Sequence, residues 1–82
     1  MTNPIWSVKA VQPQADYTLI VDFKNGEKKL YDCKPLLNDG VFKALQNKIL
    51  FLQAYVECGT VVWNDELDIA PEELYYESIP IE

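Results

Sequence analysis

The run Tyr17-Thr-Leu-Ile-Val-Asp-Phe23 leads directly into Lys24-Asn25-Gly26-Glu27, and this junction constrains the fold more than any other part of the chain. Tyr17, Leu19, Val21 and Phe23 alternate onto one face, as in a half-buried strand. Asn-Gly accepts positive φ at both central positions of a type I′ turn, so a β-hairpin is predicted. A two-residue loop would set Lys24 opposite Glu27 and Val21 opposite Leu30, pairing opposite charges at the turn and apolar residues beneath it.

Similar reasoning extends in both directions. Residues 5–12 alternate Trp6, Val8 and Ala10 against Ser7 and Lys9, which suits a first strand stopped by Pro13. The third strand covers about Glu27 to Cys33, after which Pro35 breaks the ladder. Asn38 or Asp39 is then placed to cap a short helix whose stripe is Phe42, Leu45 and Ile49, with Val41 beside it and Lys43, Gln46 and Asn47 facing water. That stripe is expected to be core.

A second hairpin is expected from Phe51–Glu57 and Thr60–Asn64 around Cys58-Gly59. Pairing Glu57 with Thr60 sets Val56 against Val61 and Trp63 against the small Ala54, making Trp63 core. Asn64-Asp65-Glu66 forms an acidic turn. In Ala70-Pro71-Glu72-Glu73-Leu74-Tyr75, proline suits the first helical turn and the two glutamates favour the positive end of the helix dipole.

The predicted fold is therefore α+β in two layers: an antiparallel sheet from three strands, a helix, a two-strand hairpin and a short C-terminal helical turn. Residues 1–77 form one domain, and 78–82 are expected to fray. At 82 residues a chain buries only roughly 60 % of the surface its unfolded form exposes, so the core is small.

Charge is unevenly distributed. All seven lysines lie within residues 1–48 against five acids, whereas residues 49–82 carry eight acids and no basic residue, giving a net charge of −6. Such a surface repels phosphate backbones, which disfavours direct nucleic-acid binding, and it suits a basic protein partner. Asp65, Glu66, Asp68, Glu72, Glu73 and Tyr76 are the candidate interaction surface. The plainer alternative is a solvated acidic face.

Catalytic chemistry is poorly provided for. The chain has no histidine and no arginine, so Ser-His and Cys-His nucleophiles, histidine-ligated metals and guanidinium clamps on phosphate are excluded. Asp65, Glu66 and Asp68 offer hard oxygen ligands but fit no complete calcium loop; the competing reading has Asp68 brace the helix that follows. Cys33 and Cys58 are too few for a zinc site or a disulfide scaffold, and both read as small buried hydrophobes. No cofactor, metal or catalytic residue is expected, and the chain reads as a non-enzyme.

The N-terminal segment lacks a basic region followed by an apolar run, and the longest apolar stretch, Ile49–Leu52, is far short of a membrane span. A cytoplasmic protein is expected. Its partners would be a basic protein or, through an exposed strand edge, a second copy.

One resemblance covers nearly the whole sequence. Val21-Asp-Phe23-Lys-Asn-Gly26-Glu27, Tyr31-Asp32, Leu36-Leu37, Gly40-Val-Phe42, Leu45, Phe51, Gly59-Thr-Val-Val-Trp63 and Leu67-Asp68-Ile69-Ala-Pro71-Glu-Glu-Leu74-Tyr75 together resemble the bacterial domain-of-unknown-function family 2442. The resemblance implies a three-strand, helix, two-strand α+β fold, found alone or joined to a helix-turn-helix domain, with no established enzymatic activity. It also implies a neighbouring small protein, as in toxin and antitoxin pairs. No helix-turn-helix is expected within these residues.

Ala70 departs from the family's Ser-type cap, and loss of a side-chain cap costs about 1 kcal/mol. Asn64-Asp65-Glu66 departs from a proline- or glycine-bearing turn. The functional expectation is a non-enzymatic interaction module, an antitoxin-like partner of a small basic protein. The alternative is a DNA-linked regulator, or its accessory domain, acting through Lys24, Lys28, Lys29 and Lys34.

Overall fold

In the computed structural model the described residues are 7–64 and 67–81, so the expectations for Trp6, Asp65 and Glu66 fall outside them. Strands β1 (Val8–Pro13), β2 (Thr18–Phe23) and β3 (Lys28–Asp32) form an antiparallel meander. Two 3-10 turns (Lys34–Asn38 and Gly40–Gln46) and helix α1 (Lys48–Phe51) follow. Then come β4 (Tyr55–Glu57), β5 (Thr60–Asn64), β6 (Leu67–Ile69), helix α2 (Pro71–Tyr76) and β7 (Ile79–Pro80).

The fold is α+β, with antiparallel strands divided between two sheets, ordered β1-β2-β3-β7 and β4-β5-β6. Both contribute to one core. Val8, Leu19, Val21, Phe23 and Tyr31 from the first sheet meet Val61, Trp63, Leu67 and Ile69 from the second, with Leu45, Phe51 and Leu74 between them. The sheets also touch through backbone, where the Val8 amide donates to the Gly59 carbonyl at 2.9 Å.

The first hairpin is slipped by one residue from its predicted register. Val21 faces Lys29 and Leu19 faces Tyr31, because the loop has three residues rather than two. The Phe23 amide donates to the Glu27 carbonyl at 2.8 Å and the Gly26 amide to the Phe23 carbonyl at 3.0 Å. Gly26 has φ +95° while Asn25 does not have positive φ, the pattern of a three-residue loop with glycine in the left-handed position. The slip places Tyr31, not Leu30, in the core, and carries Lys29 onto the inward face.

The second hairpin keeps its predicted register. Glu57 faces Thr60 and Val56 faces Val61, and Cys58 and Gly59 both take positive φ, +54° and +78°, as a type I′ turn requires. Cys58 is consequently exposed, in contrast to the buried Cys33; a turn apex projects its side chains outward. The strand begins at Tyr55 rather than Phe51, which instead ends α1.

Three further expectations are corrected. In β1 a bulge at Lys9 shifts the alternation, so Val8 is buried and Ala10 is exposed. The predicted helix is broken into 3-10 turns and one α turn. Asn47 adopts extended backbone and its Oδ1 accepts from the Ile49 and Leu50 amides at 3.0 and 3.4 Å, so it starts a new helix rather than continuing the old one. Leu45 and Phe51 are fully buried, but Ile49 is 74 % exposed.

The stretch expected to fray also has ladder partners. Ile79 and Pro80 pair with Leu30 and Lys29, and the Ile81 amide donates to the Lys28 carbonyl at 3.1 Å. Proline is accommodated because β7 is an edge strand.

Trp63 is core as predicted. Its ring lies 6.0 Å from that of Phe51, and its indole Nε1 donates to the Phe51 carbonyl at 2.9 Å.

Candidate functional site

Pro71 starts α2 at its first turn, and no side chain caps the N-terminus at Ala70. Leu74 is the buried anchor of this short helix. Around that anchor, Glu72 and Tyr76 are four residues apart, as are Glu73 and Glu77, so each pair lies along one side of the helix.

The opposite wall comes from the end of β3 and the first 3-10 turn. Together they enclose a cleft of about 750 Å³ lined by Tyr31, Asp32, Pro35 and Leu36 on one side and Ala70, Glu72, Glu73, Tyr76 and Glu77 on the other. Four of the lining side chains are carboxylates, and no lysine is among the lining residues.

Two contacts fix the cleft's shape. Tyr31, 4 % exposed, donates from its hydroxyl to Glu73 Oε2 at 3.0 Å, which orients one carboxylate. Burial, and then this bond to Glu73, raise the Tyr31 pKa well above its ordinary value, so the phenol stays protonated as a donor. Lys29 Nζ donates to the Tyr75 carbonyl at 2.8 Å and lies 3.8 Å from the centre of the Tyr75 ring. This places a cation at the end of α2 where free carbonyls collect.

The structure gathers Glu72, Glu73 and Tyr76 from the predicted surface. Asp68 is separated from them: it lies in β6 opposite Val62 and lines a smaller hollow of about 240 Å³ with Glu57 and Cys58. As a strand residue it does not supply the N-terminal cap of α2. Tyr31, Asp32, Pro35, Leu36, Ala70 and Glu77 line the cleft but were not among the predicted surface residues. Glu77 carried a signal, being one turn beyond Glu73; Asp32 reaches the cleft only through tertiary packing.

Three of the four lysines proposed for a DNA-facing role have carboxylate neighbours. Lys28 pairs with Asp22 at 3.8 Å, Lys34 with Asp32 at 3.4 Å and Lys29 with Glu27 at 3.9 Å. Lys29 is also only 12 % exposed at its side chain. Among the described residues no group of three or more metal-ligating side chains comes together, and no helix is long and apolar enough to cross a membrane.

Packing explains the two thiols. Burial, and secondarily the nearby Asp32 charge, push the Cys33 thiol up to about 12 from 9.0, so it is held as an inert, protonated core group.

The antiparallel α+β architecture, with a short proline-started helix closing an acidic cleft, defines a small domain of the kind anticipated from the sequence. The match to the family described as "Protein of unknown function (DUF2442)" runs over residues 8–80, and the chain belongs to that family. Comparison with curated proteins and with solved structures gives no match.

Proposed function

We propose that this protein is a non-enzymatic, cytoplasmic interaction module that binds a basic protein through the acidic surface of α2, in the manner of an antitoxin-like partner. The supporting observation is that Glu72, Glu73 and Glu77 line one concave surface together with Asp32, which is itself paired to Lys34 at 3.4 Å. Like charges held together are mutually unfavourable, and a partner's cations relieve that repulsion. Concave, partly apolar walls strengthen the attraction by excluding water.

Affinity capture from cell lysate at low and high salt tests this reading, with Glu72→Gln/Glu73→Gln as the control bait. A basic protein held at low salt, released at high salt and lost by the control is the expected result. Capture of nothing, or of proteins indifferent to both salt and the substitutions, would contradict it.

A further inference from the structure

The outer edge of β3 is complementary to itself. The Ile81 amide donates to the Lys28 carbonyl at 3.1 Å, so Lys28 turns its backbone groups away from β2. By the alternation of an antiparallel strand, Leu30 and Asp32 do the same. The edge therefore runs basic, apolar, acidic. Laid antiparallel on a second copy about a two-fold axis at Leu30, it sets Leu30 against the partner's Leu30 and Lys28 against the partner's Asp32, at both ends at once.

At present β7 covers part of this edge, with Ile79 opposite Leu30 and Pro80 opposite Lys29. The cover is slight. Strand β7 has two residues, both exposed, and Ile79 and Ile81 remain 59 % and 41 % exposed, so little apolar surface holds the segment down. Continuing the same register would bring Glu77 opposite Asp32, two like charges. Glu77 instead ends α2, and the ladder stops short of Asp32.

Pro80 decides how the edge can be reached. Ile79 and Ile81 face β3, so Pro80 falls at the position facing outward, where its missing N–H leaves no donor for a further strand. A second strand must replace β7 rather than add beyond it. We infer that the β3 edge is a latent two-fold interface between two copies of this chain, with Ile79–Ile81 as a displaceable strap across it.

The exchange favours the longer pairing. Two β3 edges in register bring together an apolar pair and opposite-charge pairs, which stabilise antiparallel strands, in the isologous arrangement that closes a dimer. Lys28 and Asp32 now make only exposed pairs, with Asp22 at 3.8 Å and Lys34 at 3.4 Å. Such pairs yield at little cost.

Sedimentation equilibrium of the full chain tests the inference. Ile81→Pro removes the amide that ties the strap to Lys28 and should dimerise several-fold more tightly than the unaltered protein. In that background Lys28→Glu alone and Asp32→Lys alone should each lose association, because like charges then face at both ends. An equal mixture of the two should recover it, since the introduced carboxylate meets the introduced ammonium and the remaining Lys28 meets the remaining Asp32. Thermal unfolding verifies that each variant is folded.

A folded Ile81→Pro variant that associates no better than the unaltered protein overturns the strap. Single charge variants that self-associate as strongly alone as in the mixture overturn the β3 edge as the interface. Neither result bears on the basic partner proposed for α2.

Discussion

Lys29 and Tyr75 meet twice, once through the ammonium on the tyrosine carbonyl at 2.8 Å and once through the ammonium above the ring at 3.8 Å. The contact ties the first hairpin to the last helix, across most of the chain's length. Position 29 reaches Tyr75 because the hairpin's three-residue loop turns Lys29 inward opposite Val21. The position of the acidic cleft is therefore linked to the conformation of a loop far away in sequence.

Lys29→Met keeps the stem and removes the charge. Loss of a capping bond and a partly desolvated cation-ring contact should cost about 1–2 kcal/mol, or roughly 4–8 °C in Tm per kcal/mol for a domain of this size. Lys28→Met, which breaks only the exposed 3.8 Å pair with Asp22, should change stability by less than about 0.5 kcal/mol. Urea unfolding of the two variants checks the contrast.

Trp63→Phe should destabilise by about 2–3 kcal/mol. The substitution removes the indole's 2.9 Å bond to the buried Phe51 carbonyl, which keeps only the longer 3.4 Å bond from the Ala54 amide, and opens space beside the Phe51 ring. Calorimetric unfolding measures the loss directly.

Gly59→Ala should cost about 1 kcal/mol, because φ +78° is left-handed and disfavours a side chain. Cys58, at φ +54°, already occupies such a position as a non-glycine residue. Cys58→Asn should therefore be neutral or stabilising by about 0.5 kcal/mol, since asparagine tolerates this conformation better. Opposite signs at adjacent positions, read from denaturation midpoints, test the type I′ assignment.

The thiols give a pH prediction. The folded pKa of Cys33 is raised from 9.0 to about 12, so the fold favours its neutral form. That contribution to stability is complete below pH 9 and is lost as pH rises from there toward 12, while the unfolded chain ionises first. Tyr31, raised for similar reasons, acts in the same direction. Cys33→Ala should shallow the alkaline loss of stability, and at neutral pH a thiol reagent should label Cys58 rapidly and Cys33 only on unfolding.

Much of the fold was legible where local rules act alone. The second hairpin's register followed from Cys58-Gly59 because a two-residue turn leaves one pairing, and Pro71-Glu72-Glu73 marked α2. At Asn25-Gly26 the same turn chemistry serves both two- and three-residue loops, and the choice was made by tertiary packing of Tyr31 and Lys29. The predicted helix breaks at Asn47 because that side chain caps a fresh turn, a competition that apolar spacing does not register.

β6 and β7 were missed for a related reason. Leu67–Ile69 and Ile79–Pro80 are too short to show alternation, and their pairing depends on strands elsewhere. The candidate site divides in the same way. Glu72, Glu73 and Tyr76 share one helix and were visible together, whereas Asp32 and Leu36 join them only through the packing of α2 against the end of β3.

Amide chemical-shift mapping of the intact chain with an arginine-rich peptide at low salt tests the central assignment of function most directly. Perturbations concentrated at residues 32–36 and 70–77, and abolished at high salt, are the expected result. Shifts confined to the hollow around Glu57 and Asp68, or no shifts at all, would contradict it.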